Sequence, residues 1–234
     1  DLRDFKKLGT PRVCFCVSAG AMDSMVNHYT ANIRLRSNDA YTAGGVAGFR
    51  PDYAVTTYTK ILKQLFPEVP VLIGGIEASL RRLTHYDYWK DSLMPSILID
   101  SGADFLLYGM GEQTVREVAR AMRNGFNPKR LRTIRQVGFV ADKSYVERLD
   151  SSKTIFLNSF EQCKADKRAF GENFVTLETE SNLLNAESVL VEQTGDKYVV
   201  INPMNAALTT EQIDYAFDLP YMRAPHPKYN NRGE

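Results

Sequence analysis

Val71-Leu72-Ile73-Gly74-Gly75-Ile76-Glu77-Ala78-Ser79-Leu80-Arg81-Arg82-Leu83-Thr84-His85-Tyr86-Asp87-Tyr88-Trp89 opens with an apolar run bounded by Pro70 and a glycine pair. Such a run reads as a strand buried on both faces. Gly74-Gly75 lets the chain turn sharply, because glycine tolerates positive φ and close backbone approach. A helix-like segment follows at once, carrying Glu77, Arg81, Arg82 and His85, with Asp87 just beyond. The stretch is therefore a strand, a glycine turn and a polar cluster. In open α/β sheets, ligands sit off the carboxyl ends of the strands, where such a cluster lies.

Two flanking segments repeat the pattern. Upstream, residues 12–17 (RVCFCV) are β-prone and run into Ser18-Ala19-Gly20. Downstream, residues 104–108 (DFLLY) enter Gly109-Met110-Gly111-Glu112. Tyr58, Ile61, Leu62, Leu65 and Phe66 recur at helical spacing and predict a helix over 53–66, stopped by Pro67. Val115, Val118, Ala119 and Met122 predict another over 111–123. Alternating strands and helices mark a parallel sheet with right-handed crossovers. Residues 1–143 are thus expected to form an open, largely parallel, twisted α/β sheet with helices on both faces, with 137–141 (VGFVA) as its last strand. From 144 the sequence becomes charged and helix-compatible. Two apolar runs then flank Thr194-Gly195-Asp196-Lys197, whose Gly-Asp centre suits a tight hairpin turn. Thr209 and Gln212 form a capping-box pattern before a short helix. Pro220, Pro225 and Pro227 are expected to hold the tail extended. Residues 144–234 read as a smaller α+β connector with a β-hairpin, packed on the sheet domain.

Parallel strands place the turns that follow them on one edge of the sheet. Those turns carry the candidate ligand-binding residues: Ser18, Asp23, Ser24, Asn27 and His28; Gly74, Gly75, Glu77, Arg81, Arg82, His85 and Asp87; Gly109, Gly111 and Glu112. Asp23, Asn27, His28, Glu77, Arg81, Arg82 and His85 are expected to converge on one cleft that holds a polar ligand or faces a neighbouring domain. Arg81 or Arg82 can fork onto a carboxylate, either Glu77 within the helix or one from a ligand. The alternative is that these groups satisfy one another and anchor the polar segment 21–52, which is too long for an ordinary connection. Gly109-Met110-Gly111 matches part of a dinucleotide fingerprint, but Thr114 stands where the third glycine belongs. Glu112 in the first helical turn would also repel a bound anion.

Three strings carry a family resemblance: SAGAMDSMVNHYTA (18–31), GGIEASLRR (74–82) followed by HYDYW (85–89), and LPYMRAPHP (219–227). Together they resemble, in the same order, the N-terminal region of the YgiQ-type radical SAM (radical S-adenosylmethionine) proteins. ADFLLYGMGE (103–112) is similar to a segment of the cobalamin-binding-type domains that precede radical SAM barrels. The resemblance implies a flavodoxin- or cobalamin-binding-like sheet, here expected to lack its first strand and helix. It also implies a connector leading to a radical SAM barrel outside this chain. A [4Fe–4S] cluster and S-adenosylmethionine are then the parent protein's cofactors, and the barrel and an unknown small-molecule substrate are the partners.

Lys+Arg 29 against Asp+Glu 28 leaves a formal net charge of +1, with no basic excess for nucleic acid. No apolar run approaches membrane-span length and no secretory signal is present. Three cysteines, Cys14, Cys16 and Cys163, make no disulfide framework, so a cytoplasmic location is expected. Cys14 and Cys16 are expected as small buried hydrophobes on opposite faces of their strand, which argues against a shared metal. The histidines at 28, 85 and 226 have no ligand-like spacing. No phosphate loop, nucleophile elbow or H-E-x-x-H occurs, so no catalytic or metal residue is assigned. C-x3-C-x2-C is also absent, and cluster irons require thiolates, so no cluster is expected in this chain. Without D-x-H-x-x-G to supply a histidine to cobalt, cobalamin is not expected either. The first residue is Asp1 and the last residues are polar, so both ends read as cut. The functional expectation is an N-terminal accessory fragment of a radical SAM iron–sulfur enzyme, not catalytic alone, whose polar cleft faces substrate or cofactor. A free-standing small-molecule binding domain and a structural interaction module are the alternatives.

Overall fold

The computed structural model describes residues 2–7, 9–224 and 227; Pro225 and His226 lie outside the described residues. The chain runs α1 (Leu2–Lys6), β1 (Phe15–Val17), α2 (Ser24–His28), α3 (Ala54–Leu65), β2 (Val71–Gly74), α4 (Gly75–Leu80), β3 (His85–Asp87), β4 (Ser92–Met94), α5 (Ile97–Ser101), β5 (Phe105–Leu107), α6 (Glu112–Ala121), α7 (Pro128–Leu131) and β6 (Val137–Ala141). It continues through α8 (Lys143–Val146), β7 (Thr154–Phe156), α9 (Phe160–Ala165), α10 (Lys167–Ser181), β8 (Val189–Thr194), β9 (Lys197–Ile201) and α11 (Thr210–Phe217).

Seven strands form one mixed α/β sheet in the order β1-β2-β5-β6-β9-β8-β7. The three strands expected from apolar runs pair in parallel, β1 with β2 and β2 with β5. Their glycine turns therefore share one edge. β6 joins as expected but runs antiparallel to β5. After α6 descends, residues 122–136 climb back to the carboxyl edge, where Gln136 accepts from the Tyr108 amide at 3.2 Å. The β8–β9 hairpin turns through Gly195 at φ +60° and pairs through β9 with β6, so residues of the connector extend the same sheet. The capping box forms as expected, the Thr209 side chain accepting from Gln212 and the Gln212 side chain from Thr209. One segment differs from its reading. α4 stops at Leu80, and His85–Asp87 are not helical but pair with β4 in a separate two-stranded sheet. The alternating aromatics of HYDYW suit a pleated strand.

Strand periodicity divides the core in two. Leu72, Phe105, Val137, Phe139, Val191 and Val200 face α6, α7 and α8 through Val118, Leu131 and Val146. Val17, Ile73, Leu106, Leu190 and Ile201 face α3 and α5 through Val55, Leu62, Ile97 and Leu98. Val71, Leu72 and Ile73 are all buried, as a strand covered on both faces requires. Each such side chain contributes roughly 1.5–3 kcal/mol, so the core holds the turns of the carboxyl edge firmly in place.

Candidate functional site

Glu77 lies in the first turn of α4 and is 1% exposed. Its Oε2 accepts from the Ser24 amide and its Oε1 from the Val55 amide, each at 2.8 Å. Both donors belong to the first turns of α2 and α3, where amides have no intrahelical partner and carry the positive end of the helix dipole. Tyr53, at the N-cap of α3, is left-handed at φ +50° and supplies no side-chain cap. Glu77 replaces that cap from a distant part of the chain, and Ser24 Oγ accepts the neighbouring Ala54 amide at 3.2 Å. Asp23 caps α2 through the Met25 and Val26 amides and pairs by its other oxygen with the buried Arg81 guanidinium. Arg81 therefore does not fork onto the Glu77 carboxylate. It reaches only the Glu77 carbonyl, at 3.1 Å, because the carboxylate is already occupied by two amides.

The network continues outward. Asp39 accepts from Asn27 Nδ2 at 2.7 Å, Arg50 Nε at 2.8 Å and the Tyr41 amide at 2.9 Å. Burial raises the Asp39 carboxyl, but these donors outweigh it and hold the group below the usual carboxylate range. His28 places Nδ1 2.9 Å from Asp52 and Nε2 3.5 Å from Asp39. Asp87 accepts from the Tyr53 hydroxyl and the Lys90 amide. Asp23, Ser24, Asn27, His28, Glu77 and Arg81 thus come together, buried and mutually bonded, and they fasten the segment 21–52 to α3 and α4.

The remaining candidates lie elsewhere. Arg82 donates to Ser79 O and Ser181 Oγ and sits over the Tyr108 ring. His85 has Nδ1 3.1 Å from Leu83 O, and burial lowers its pKa. Both line a cavity of about 350 Å³ between residues 80–86, β8 and α10. Glu192 shares it and was missed by sequence reasoning. Its one signal is an acid among the apolar residues of VLVEQT.

Ser18, Gly74, Gly75, Gly109 and Gly111 line a third space, a crevice of about 450 Å³ between the carboxyl ends of β1, β2 and β5 and the flank of α6. A Cβ at Gly75, where φ is +80°, would lie 2.7 Å from Ser18 Oγ, so this approach of the two turns needs glycine. Leu107, Val115 and Met122 give the crevice apolar walls. Ile76, Met110 and Val115 are exposed on the same edge. Glu112 opens instead onto a neighbouring groove beside α11.

Cys16 also lines the crevice. It is exposed rather than buried, and it does not point away from Cys14. Residues two apart in a strand share a face, so the two thiols stand side by side. The neighbouring Cys14 thiol lowers Cys16 to about 7, while Cys14 is pushed up. Cys163 is buried on α9 and accepts from Asn173 Nδ2 at 3.2 Å; burial pushes its thiol up to about 11. Cys163 belongs to the β8 side of the sheet, five strand pairings from β1, or roughly 24 Å at about 4.8 Å per pairing. The cysteines of this chain therefore do not fit a [4Fe–4S] cluster. Among the described residues, no group of three or more His, Cys, Asp or Glu could hold a metal ion, and no helix is long and apolar enough to cross a membrane.

Comparison with known proteins agrees with the quoted strings. The model of the radical SAM N-terminal family matches residues 1–234. A UPF0313 protein of Porphyromonas gingivalis is 52% identical over 99% of this chain and 36% of its own length. Similar proteins from Bacteroides thetaiotaomicron (48%; 99% of this chain, 39% of that protein) and Methanocella arvoryzae (43%; 98% and 37%) carry the same UPF0313 designation. The chain spans a little over a third of the length of these relatives. No solved structure matches it. Sequence strings, family model and relatives coincide over nearly the whole length, and the chain belongs to the radical SAM N-terminal family, in its UPF0313, YgiQ-type branch.

Proposed function

We propose that this chain is the accessory domain of a radical SAM iron–sulfur enzyme, not catalytic by itself, and that its carboxyl-edge crevice faces the substrate or cofactor handled by the rest of the polypeptide. The observation that carries this reading is the crevice itself. It is an apolar space of about 450 Å³ at the carboxyl ends of parallel strands, with four glycines in its lining, where open α/β sheets take ligands. It replaces the polar cleft as the candidate opening, because the polar groups are engaged with one another. The exposed Ile76, Met110 and Val115 form an apolar rim suited to an interface, which we assign to the radical SAM barrel of the same polypeptide. The [4Fe–4S] cluster and S-adenosylmethionine belong to that barrel, since the cysteines here do not fit the cluster. No imidazole lines the crevice, which favours a reading without cobalamin. Three free thiols suit a reducing, cytoplasmic compartment.

The test uses the full-length protein. A Cβ at Gly111 meets only Val115, at 3.8 Å, so Gly111→Leu fills the crevice without straining the turn. Val115→Arg charges the rim. Both are expected to lower formation of 5′-deoxyadenosine from S-adenosylmethionine by more than about tenfold, with iron content and melting temperature unchanged. Unchanged turnover in both variants would refute the proposal.

A further inference from the structure

The cavity between β8, α10 and residues 80–86 is separate from the carboxyl-edge crevice and was built differently. α10 presents Phe170, Phe174 and Leu177 to it along one face, at the i, i+4, i+7 spacing of a helical stripe. Leu83 closes the opposite wall. Glu192 enters from β8, on the same side of the strand as the core residue Leu190. It is 1% exposed, and its Oε2 accepts from the Thr84 amide at 2.8 Å. Among the described residues no Lys, Arg or His pairs with it. A buried carboxylate is costly unless a cation or several donors surround it.

The charged groups on every wall are few. α10 adds Glu178, a second acid, and residues 80–86 add Arg82 and His85. The Arg82 guanidinium is directed to Ser79 O, Ser181 Oγ and the Tyr108 ring. His85 has Nδ1 at Leu83 O, and burial lowers its pKa. On α9, Glu161 accepts from the Gly195 amide, and Cys163 is a neutral thiol. Glu192 and an apolar, partly aromatic wall are therefore offered to whatever enters, while Glu178 lies within electrostatic reach of Arg82.

We infer that this cavity binds a small primary amine with an apolar body, its ammonium on the Glu192 carboxylate and its body against Phe170, Phe174 and Leu177. The volume of about 350 Å³ accommodates a bicyclic aromatic amine. Burial pushes the empty-site Glu192 carboxyl up to about 7. An ammonium would return it to the ionised form, so amine binding must strengthen as pH rises.

Tryptamine, tryptophol and indole-3-propionate share one aromatic body and differ in the terminal group. Titrated calorimetrically into the chain at pH 8, tryptamine is expected to bind at least about tenfold tighter than the other two, which corresponds to one charge-assisted hydrogen bond. In Glu192→Gln, which keeps an acceptor for the Thr84 amide, that preference disappears. On the unaltered chain, tryptamine affinity rises roughly tenfold or more between pH 5 and pH 8, while tryptophol affinity stays level. The pH series keeps the inference testable should Glu192→Gln fail to fold. Equal affinity for the three compounds, tryptamine affinity indifferent to pH or to Glu192→Gln, or no saturable binding of tryptamine at millimolar concentration would each overturn it.

Discussion

Replacing Glu77 by glutamine keeps the shape of the side chain and changes one oxygen into an amino group. Each carboxylate oxygen now accepts one amide, Ser24 at the start of α2 and Val55 in the first turn of α3. Whichever way the glutamine amide turns, one of those N–H groups faces another donor. A buried donor left without a partner costs about 1–3 kcal/mol. Loss of negative charge at two helix N-termini adds about 0.3–1 kcal/mol for each. Removing a buried charge recovers some desolvation energy and works against both, so the expected net loss is about 2–3 kcal/mol. In a chain of this size that lowers the melting temperature by about 5–10 °C. Urea unfolding of Glu77→Gln beside Glu187→Gln, whose side chain is exposed, measures it. Limited proteolysis should cut the variant first within residues 29–52, the segment that Glu77 and Arg81 fasten down. Stability within about 0.5 kcal/mol of the parent, with that segment equally protected, would refute the reasoning.

Glu192 makes the opposite prediction for the same substitution. Its folded value of about 7 lies above the ordinary 4.5, so the group favours the folded state while protonated, and that contribution is lost as pH rises through 7. A separation of about 2.5 pH at about 1.4 kcal/mol per pH gives a total decline of about 3.5 kcal/mol, of which about 2.5 kcal/mol falls between pH 5 and pH 8; Glu192→Gln should remove it from denaturant titrations over that range, and equal slopes in both proteins would count against it. Gly75→Ala forces a side chain into φ +80° and places its Cβ 2.7 Å from Ser18 Oγ, a loss of about 2–4 kcal/mol. In a Ser18→Ala background only the backbone strain of about 1–2 kcal/mol should remain, and strictly additive effects of the two changes would exclude the contact.

The sequence by itself determined the three parallel strands, their glycine turns and the edge those turns share. An apolar run covered on both faces, a helix at 3.6-residue spacing and a turn that needs positive φ are local matters, written in neighbouring residues. The strings around Asp23, Glu77 and Arg81 determined the family in the same way. Only the tertiary structure decided what those residues touch. Arg81 had a carboxylate four positions away in Glu77, yet it pairs with Asp23, 58 residues distant, while Glu77 serves amides 53 and 22 residues distant. The direction of β6 depended on how residues 122–136 climb back to the edge, and the isolation of Glu192 depended on α10 standing over it. A strand's face follows from its own period, but the partner of a buried charge is whichever donor the packed core brings within about 3 Å, and that is fixed by contacts far apart in the chain.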